Sequence, residues 1–366
     1  MTIPRCALEK KRPIVYTYII IPRHEFHKED ASMNKRERVM TVLSGKRADR
    51  VPAAFWHHFG PEASQGDACV QAHLDYYRNT GIDFIKIMSD GLSYPLDISI
   101  DKPEDWLKLK PLPKDHPFFT ESVKRCQEIN KALNGEAVTF YNVFSPFNVV
   151  RERDVFTERA LARRSWDATV MAQLRESPEA EEAIRHAMTI IGEDMAYLAK
   201  AVICEGGCLG IYQSVQGAEK GRMSAIEYAR IVRVTEMGIL DAANSVSKYN
   251  ILHMCSWAGK PNHLSYWRDY PTAVKNWGVG IEGLSLTEAQ SFFDKGTILL
   301  GGLDNRKDHP LYAGDENAIR AAVDGVLDEM GETPFILGAD CTVPADIDLA
   351  HIRWVMDELE RRAFER

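Results

Sequence analysis

The sequence predicts a single (β/α)8 barrel that follows an N-terminal extension. Its 366 residues are enough for this fold, which takes about 250 residues as one domain. From Arg50 onward, eight short segments rich in β-branched and aromatic residues alternate with longer helical patterns, as in consecutive β-α units. Most of these segments are apolar on both faces, which is typical of parallel strands that are covered on both sides.

The first 32 residues differ in character from the rest. They begin with basic residues, contain only a short apolar run, and lack a small-residue cleavage site, so they do not fit a secretory signal. We interpret residues 1–32 as a disordered or loosely attached extension, with a targeting peptide as the alternative. The barrel domain then spans residues 33–366. It opens with a helix in which Asn34 and Glu37 have capping-box spacing, and Gly45 stands where that helix should end.

The eight segments are predicted to be the strands, and helix signals separate them. The predicted strands cover residues 50–58, 83–91, 137–146, 208–217, 250–257, 273–281, 297–305 and 334–344. Capping boxes at Ser224 and Ser285 begin two of the intervening helices, and the last helix starts near Asp348 with an apolar stripe. Residues 152–200 are long enough for two or three helices. A doubly wound open sheet is the alternative fold, but no glycine-rich phosphate loop follows the first strand.

Composition excludes several classes of function. A formal charge of −8 and a pI near 5.8 argue against nucleic acid as the main partner, because phosphate binding needs a basic face. The apolar runs are far shorter than the roughly 20 residues that span a bilayer. Seven cysteines, an odd number scattered along the chain, fit a reducing compartment. We therefore expect a cytoplasmic protein that binds neither nucleic acid nor membranes.

The segment "NILHMCSW" raises the question of a metal site. His253 and Cys255 are two positions apart on a predicted strand, so both side chains point to the same face. Functional groups of a barrel gather at the C-terminal ends of the strands, and Cys341 follows the eighth strand. The barrel thus brings His253, Cys255 and Cys341 to one rim, where they could bind zinc. The alternative is a buried strand that holds a histidine and a cysteine as core residues.

The ligand types favour one kind of chemistry. Two thiolates cancel the charge of Zn²⁺, so a further bound thiolate would stay electron-rich and nucleophilic. Coordination also replaces a thiol of pKa about 8.5 by a thiolate at neutral pH. Such a site suits the activation of a substrate thiol for attack on carbon, and it suits hydrolysis less well.

Six further polar residues at strand ends are candidates for the site: His57, Asp90, Tyr212, Gln213, Gln216 and Asp304. We expect Asp90 and Tyr212 to be catalytic and the other four to contact substrate. A structural role is the alternative for each of them. His57 and His58 alternate in direction, so at most one of them points inward, and Asp304 could instead orient the seventh loop.

The chain resembles the uroporphyrinogen decarboxylase superfamily over nearly its whole length from Met33. The resemblance rests on the segments "NKRERVMTVLSGKRADRVPAAFW", "DFIKIMSD", "NILHMCSW", "TILLGGLDN" and "ILGADCTVPADID". That superfamily includes metal-free porphyrinogen decarboxylases and zinc-dependent methylcobamide:thiol methyltransferases. The methyltransferase branch carries His-x-Cys and a distant Cys as zinc ligands, which implies His253, Cys255 and Cys341 here.

The decarboxylase branch fits the sequence less well. Its arginine-rich element after the first strand is replaced by "FWHHFGPEA", with no arginine between Arg50 and Arg78. Its histidine after the eighth strand is missing as well, although Asp90 corresponds to the decarboxylase aspartate. The resemblance therefore implies a zinc methyltransferase that acts on a small-molecule thiol or methyl donor.

Methylcobalamin would be the co-substrate, carried by a separate corrinoid protein. A folate is an alternative acceptor of the methyl group, and the chain could form a homodimer. Two other classes of function are the alternatives: a metal-free lyase centred on Asp90, and a non-catalytic binder of corrinoids or porphyrins.

Overall fold

The computed structural model describes residues 32–152, 160–256 and 259–364. Eight parallel strands form one sheet in the order β1-β8-β7-β6-β5-β4-β3-β2. They are β1 (Ala53–Ala54), β2 (Phe84–Ile87), β3 (Val138–Phe144), β4 (Gly210–Val215), β5 (Ile251–Met254), β6 (Val274–Trp277), β7 (Ile298–Leu303) and β8 (Phe335–Ala339). Every strand lies inside a segment that the sequence predicts, so the (β/α)8 barrel is confirmed. The proposed extension, apart from Ser32, and the end of the fifth segment at Trp257 lie outside the described residues.

Helices surround the barrel and close the end at which its strands begin. They are α1 (Lys35–Leu43), α2 (Gly66–Thr80), α3 (Pro117–Leu133), α4 (Pro146–Glu152), α5 (Ala160–Gln173), α6 (Pro178–Cys204), α7 (Ala225–Tyr228), α8 (Val234–Asn244), α9 (Val279–Glu282), α10 (Leu286–Phe292), α11 (Pro310–Ala313), α12 (Glu316–Met330) and α13 (Leu349–Phe364). Within the described residues, no helix is long and apolar enough to cross a membrane.

Local signals set several of these helix boundaries. Asn34 forms the predicted capping box with Glu37, and Ser224 and Ser285 form theirs with the glutamates three residues later. The helix that begins after Ser224 differs from the prediction, because a π-helical turn at residues 229–233 separates α7 from α8. After that turn the buried carboxylate of Glu236 accepts a hydrogen bond from the hydroxyl of Tyr228, at 2.9 Å. A π turn changes which side chains face the sheet, and periodicity alone does not detect it.

The barrel interior is apolar at the end where the strands begin. Val39 and Val42 of α1 pack into the same buried cluster as Phe84, Val138 and Ile298 at the starts of the strands. Helix α1 therefore acts as the floor of the barrel. Polar groups concentrate at the opposite end, where the strands finish, and this end holds the candidate site.

The barrel closes between β1 and β2 through Asp83. The backbone N–H of Asp83 donates to the carbonyl oxygen of Ala53 at 2.8 Å, and the N–H of Ala53 donates to the Asp83 carboxylate at 2.8 Å. The same carboxylate, which is fully buried, receives Arg38 at 2.8 Å and Arg50 at 2.7 Å. Since β1 has only two residues, the Asp83 carboxylate supplies much of the hydrogen bonding that joins β1 to the start of β2.

Candidate metal centre

Three potential metal ligands converge at the C-terminal end of the barrel. His253 lies on β5, Cys255 follows that strand, and Cys341 follows β8. The Nε2 atom of His253 is 3.4 Å from Sγ of Cys341, and the two sulfur atoms are 3.9 Å apart. All three donor atoms lie within 4.8 Å of one another. The structure thus brings together the three residues that the sequence singles out as ligands.

Two of the three donor separations match those of a tetrahedral zinc ion. Zn–S bonds of about 2.3 Å and Zn–N bonds of about 2.0 Å, at tetrahedral angles, imply separations of about 3.8 Å between sulfurs and about 3.5 Å between sulfur and nitrogen. The observed 3.9 Å and 3.4 Å are close to these values. A disulfide would instead need sulfur atoms about 2.05 Å apart, and neither cysteine forms one.

Asn276 on β6 fixes the orientation of the His253 ring. Its Nδ2 donates to the carbonyl oxygens of Leu300 and Ala339, at 2.9 and 3.2 Å, so its Oδ1 faces the histidine. That oxygen accepts from Nδ1 of His253 at 2.5 Å. Because the proton then resides on Nδ1, the lone pair of Nε2 points toward Cys341. A hydrogen bond of this kind is what holds a metal-ligating histidine in one tautomer.

Tyr212 and Lys86 lie beside the ligands inside the barrel. The Tyr212 ring stacks on His253 with centroids 5.4 Å apart, and its hydroxyl donates to Oδ1 of Asn276 at 2.7 Å. Lys86, which is buried, has its ammonium 4.0 Å from the Tyr212 ring centroid and 5.0 Å from the ring of Trp56. Burial lowers the pKa of Lys86 to about 8. A cation therefore lies against the same ring that stacks on the imidazole.

The charges near the ligands favour a thiolate. A hydrogen bond from Cys255 lowers the pKa of the Cys341 thiol well below its usual value, and the neighbouring His253 and Lys86 act in the same direction. Asp340 behaves in the opposite way, since burial raises its pKa to about 8. Its Oδ1 has no hydrogen-bond partner among the described residues. The site thus combines a thiol whose pKa is lowered by its neighbours with a carboxyl group whose pKa is raised by burial.

Hydrogen bonds to Glu282 hold Ser256 and Asn262, which lie close to Cys255 in the sequence. The Glu282 carboxylate, at the end of α9, accepts from the Ser256 hydroxyl and from the backbone N–H and side-chain amide of Asn262, the last two at 2.7 and 2.6 Å. Asn262 also donates to the carbonyl oxygen of Cys255 at 3.3 Å. These contacts fix the backbone that carries the second potential ligand.

Asp90 forms a separate polar pair with His58. Its carboxylate accepts from Nδ1 of His58 at 2.7 Å and from the backbone N–H of Phe59 at 2.8 Å. Burial alone would raise the pKa of Asp90, yet these hydrogen bonds hold it below its usual value. His57, the predicted substrate contact, instead directs Nδ1 to the carbonyl oxygen of His58 at 2.8 Å and packs against Tyr76. As predicted, the two histidines differ in direction, and His58 is the one that reaches Asp90.

The remaining candidates lie in different surroundings. Gln213 donates from Nε2 to the carbonyl oxygen of Glu236 on α8, on the opposite face of β4 from Tyr212. This position, outside the barrel wall, argues against contact with a ligand in the barrel mouth. Gln216 is buried just beyond β4, and its Oε1 has no hydrogen-bond partner among the described residues. Asp304 binds Arg306 in its own loop at 2.6 Å, which fits the alternative role of orienting the seventh loop.

Sequence reasoning missed Asn276 and Lys86. Both stand within predicted strands, "AVKNWGVGI" and "DFIKIMSD", and both are buried. A polar or charged residue in the middle of a buried strand was the available signal, because such groups need partners inside the protein. Which partners they meet depends on how neighbouring strands align.

Comparisons with known proteins agree with the fold. The family described as uroporphyrinogen decarboxylase (URO-D) matches residues 34–362. Among solved structures, a methyltransferase from Methanosarcina mazei superposes with a TM-score of 0.67 at 14% identity, covering 90% of this chain and 99% of that one. A B12-independent methionine synthase from a Shewanella species in complex with selenomethionine has a TM-score of 0.50 at 11% identity, covering 88% and 98%. A comparison with curated protein sequences finds no relative.

Proposed function

Since this chain belongs to the uroporphyrinogen decarboxylase family, we propose that it is a zinc-dependent methyltransferase of that family. His253, Cys255 and Cys341 would hold the metal, and the methyl group would move between a corrinoid carrier and a small-molecule thiol. The observation that carries the proposal is the convergence of one imidazole and two thiols within 4.8 Å. The methyltransferase from Methanosarcina mazei, which shares the fold, catalyses the same general class of reaction.

Zinc bound by two thiolates and an imidazole supplies an ionised, nucleophilic substrate thiol at neutral pH. The protein's own residues prepare the site for that role. Asn276 keeps the proton of His253 on Nδ1 and so leaves Nε2 free to bind metal. The positive charge of Lys86 would offset the negative charge of a substrate thiolate beside the two cysteines. The hydroxyl of Tyr212 donates a second hydrogen bond to Oδ1 of Asn276. Burial raises the pKa of Tyr212 well above its usual value, so its proton stays in place.

The remaining parts of the proposal concern partners and location. Methylcobalamin would reach the barrel mouth on a separate corrinoid protein, and the chain would work in the cytoplasm, where its free thiols stay reduced. The other participant is a small-molecule thiol or methyl donor, and the proposal leaves open whether the enzyme forms a homodimer.

A metal-free lyase is the second candidate, and the His58–Asp90 pair favours it. A buried carboxylate with a histidine at 2.7 Å is a plausible acid–base group for a reaction on a carboxylated ring. This candidate predicts that catalysis survives the loss of the cysteines and fails when Asp90 is replaced by asparagine. The first candidate predicts dependence on both cysteines.

The first test is metal content by plasma mass spectrometry, on protein purified without a metal-affinity tag. We expect about one zinc per chain in the unaltered protein and almost none in Cys255→Ser, because a catalytic zinc site needs three protein ligands. Cys204→Ser is the matched control, since Cys204 is exposed and lies at the end of α6, before β4 begins, whereas the proposed ligands follow the ends of strands. Absence of metal from all three proteins after incubation with zinc would reject the metal site and leave Asp90 as the centre of interest.

Replacement of Asn276 by leucine is expected to weaken metal binding by about 10- to 100-fold, the usual effect of removing a hydrogen-bond partner of a metal-bound histidine. The measurement is competition for zinc against a chromophoric chelator. Tyr212→Phe is the control, because it removes the hydroxyl that Asn276 accepts from but keeps the bond to His253. Equal losses in the two variants would contradict the role given to Asn276.

A further inference from the structure

An open, charged pocket lies at the rim of the barrel mouth, beside the loop that follows β4. Its volume is about 260 Å³, whereas about 10–15 Å³ is the least that admits one water molecule. The charged residues of its wall are Asp167, Arg175, Glu219, Lys220, Arg222 and Lys260. Three of them, Arg175, Lys220 and Lys260, are exposed, so dissolved molecules can reach the pocket.

The two carboxylates of the wall are already neutralised. Arg151, whose side chain is 1% exposed, lies 3.1 Å from Asp167 and 2.8 Å from Glu219. Arg222 lies 2.8 Å from Asp167 and 2.7 Å from Glu219. Two guanidinium groups therefore balance two carboxylates, and this network forms the inner wall of the pocket.

Three further cations of the wall exceed this balance. They are Arg175, Lys220 and Lys260, and the carboxylates of the wall are paired elsewhere. Nη2 of Arg175 donates to the carbonyl oxygen of Arg222 at 2.5 Å, which holds its guanidinium at the pocket. Glu227 on α7, which lies near Arg175, instead caps its own helix. The pocket thus has an excess of positive charge, in a chain whose formal charge is −8.

The turn that carries Lys220 is held in place. The backbone N–H of Lys220 donates to the carbonyl oxygen of Pro261 at 3.0 Å, and that of Arg222 donates to Glu219 at 2.9 Å. Gly221, between them, has a φ of +84°, and a Cβ atom placed on it would meet no other atom within 4 Å. The turn therefore lines the pocket with fixed backbone and leaves open space above it.

The same turn adjoins the loop of the second potential metal ligand. Glu219 pairs with Asn262 in an isolated antiparallel bridge, and Nδ2 of Asn262 donates to the carbonyl oxygen of Cys255 at 3.3 Å. The pocket therefore lies on the same rim as the candidate metal centre, but its wall contains none of the three potential ligands.

We propose that this pocket binds a phosphate group, either as a monoester or as inorganic phosphate. A phosphate monoester carries about −1.5 to −2 charges at pH 7 and has three acceptor oxygens, so several cations can bind it at once. A carboxylate has a single charge and would leave most of the excess uncompensated. Arg175 offers the planar N–H groups that match phosphate oxygens, and Lys220 and Lys260 add point charges. The inference goes beyond the proposed function and does not depend on a metal.

The first part of the test is a titration of the full chain with inorganic phosphate at low salt, followed by phosphorus NMR. The unaltered protein should bind with a Kd of about 1 mM or lower. The double variant Lys220→Gln, Lys260→Gln should bind at least about tenfold more weakly, because two of the three excess charges are lost. The matched control is the double variant Lys46→Gln, Lys295→Gln.

The control changes the net charge equally at the other end of the barrel. Lys46 follows α1 and Lys295 precedes β7, and both are exposed. Equal weakening in the two double variants would overturn the proposal, as would an unaltered protein that is not saturated by about 10 mM phosphate. Cys255→Ser should bind phosphate as the unaltered protein does. A loss of phosphate binding in that variant would assign the phosphate to a metal ion and overturn the proposal, whereas a lack of zinc would not affect it.

The second part compares phenyl phosphate and acetate with inorganic phosphate. Acetate should bind at least about tenfold more weakly than either phosphate compound, since it carries one charge. Equal affinity for acetate would show a pocket for any anion and would overturn the assignment to phosphate. Tighter binding of phenyl phosphate than of inorganic phosphate would support an organic monoester as the ligand, and the reverse order would support the free ion.

Discussion

Replacement of Cys341 by serine is expected to remove bound zinc and methyl-transfer activity together, while the barrel stays folded. Structural zinc sites contribute about 10–16 kcal/mol of binding free energy, so one ligand of four accounts for roughly 3–4 kcal/mol, or several hundredfold in affinity. The serine hydroxyl cannot replace a thiolate whose pKa is already lowered by Cys255, His253 and Lys86. The measurement pairs zinc affinity with the rate of methyl transfer from methylcobalamin to small thiols.

Thermal unfolding separates this effect from a loss of structure. Cys341 lies past the end of β8 and is only partly buried, so the Tm of the apo variant should stay within a few degrees of the apo parent. Retention of zinc and activity in Cys341→Ser would remove the basis for the proposed function. Loss of activity with metal content unchanged would mean that Cys341 acts on the substrate and that another group binds the ion.

The second large effect concerns stability. Asp83→Asn is expected to lower the free energy of unfolding by about 3–5 kcal/mol, the usual result of removing one partner from a buried ion pair. The carboxylate is 0% exposed, and the side chains of Arg38 and Arg50 that it receives are 6% and 4% exposed. Asparagine keeps the size but leaves the two guanidinium groups without their shared counter-charge. Urea denaturation, followed by circular dichroism, measures the difference.

The control is the same substitution in an exposed ion pair. Asp269 binds Arg233 at 2.8 Å, but the two side chains are 68% and 26% exposed. Exposed pairs contribute at most about 1 kcal/mol, so Asp269→Asn should have a small effect. Zinc content should be unchanged in both variants, since Asp83 lies at the start of β2 and the proposed metal ligands lie at the opposite end of the barrel. A loss for Asp83→Asn no greater than that for Asp269→Asn would contradict the role of Asp83 in closing the barrel.

Much of the fold could be predicted because its signals are local. Each strand is a short apolar segment, and capping residues such as Asn34 and Ser285 mark the starts of helices within four residues of sequence. The three potential ligands could be predicted together because barrel strands end at one rim. To place the three residues at that rim, one needs to know only where the strands end, and no knowledge of side-chain contacts is required.

The surroundings of the ligands could not be predicted in the same way. Asn276 meets His253 because β5 and β6 align with those residues side by side, and a shift of register would separate them. His58 rather than His57 reaches Asp90 for a similar reason, since the choice depends on how the chain turns after β1. Gln213 was grouped with Tyr212, although neighbouring residues of one strand point to opposite faces. The π turn before Glu236 leaves no periodic pattern in the sequence.

The two-residue strand β1 and the position of Cys341 have a consequence for biosynthesis. The first strand aligns with the last, Ala53 beside Leu337, so the barrel cannot close until nearly the whole chain has left the ribosome. His253 and Cys255 emerge earlier, and Cys341 follows 86 residues after Cys255. At translation rates of about 5–20 residues per second, the first two groups wait for several seconds beside an open barrel. We therefore expect metal to enter after synthesis ends, and a chain truncated before β8 to carry the first two ligands without a closed site.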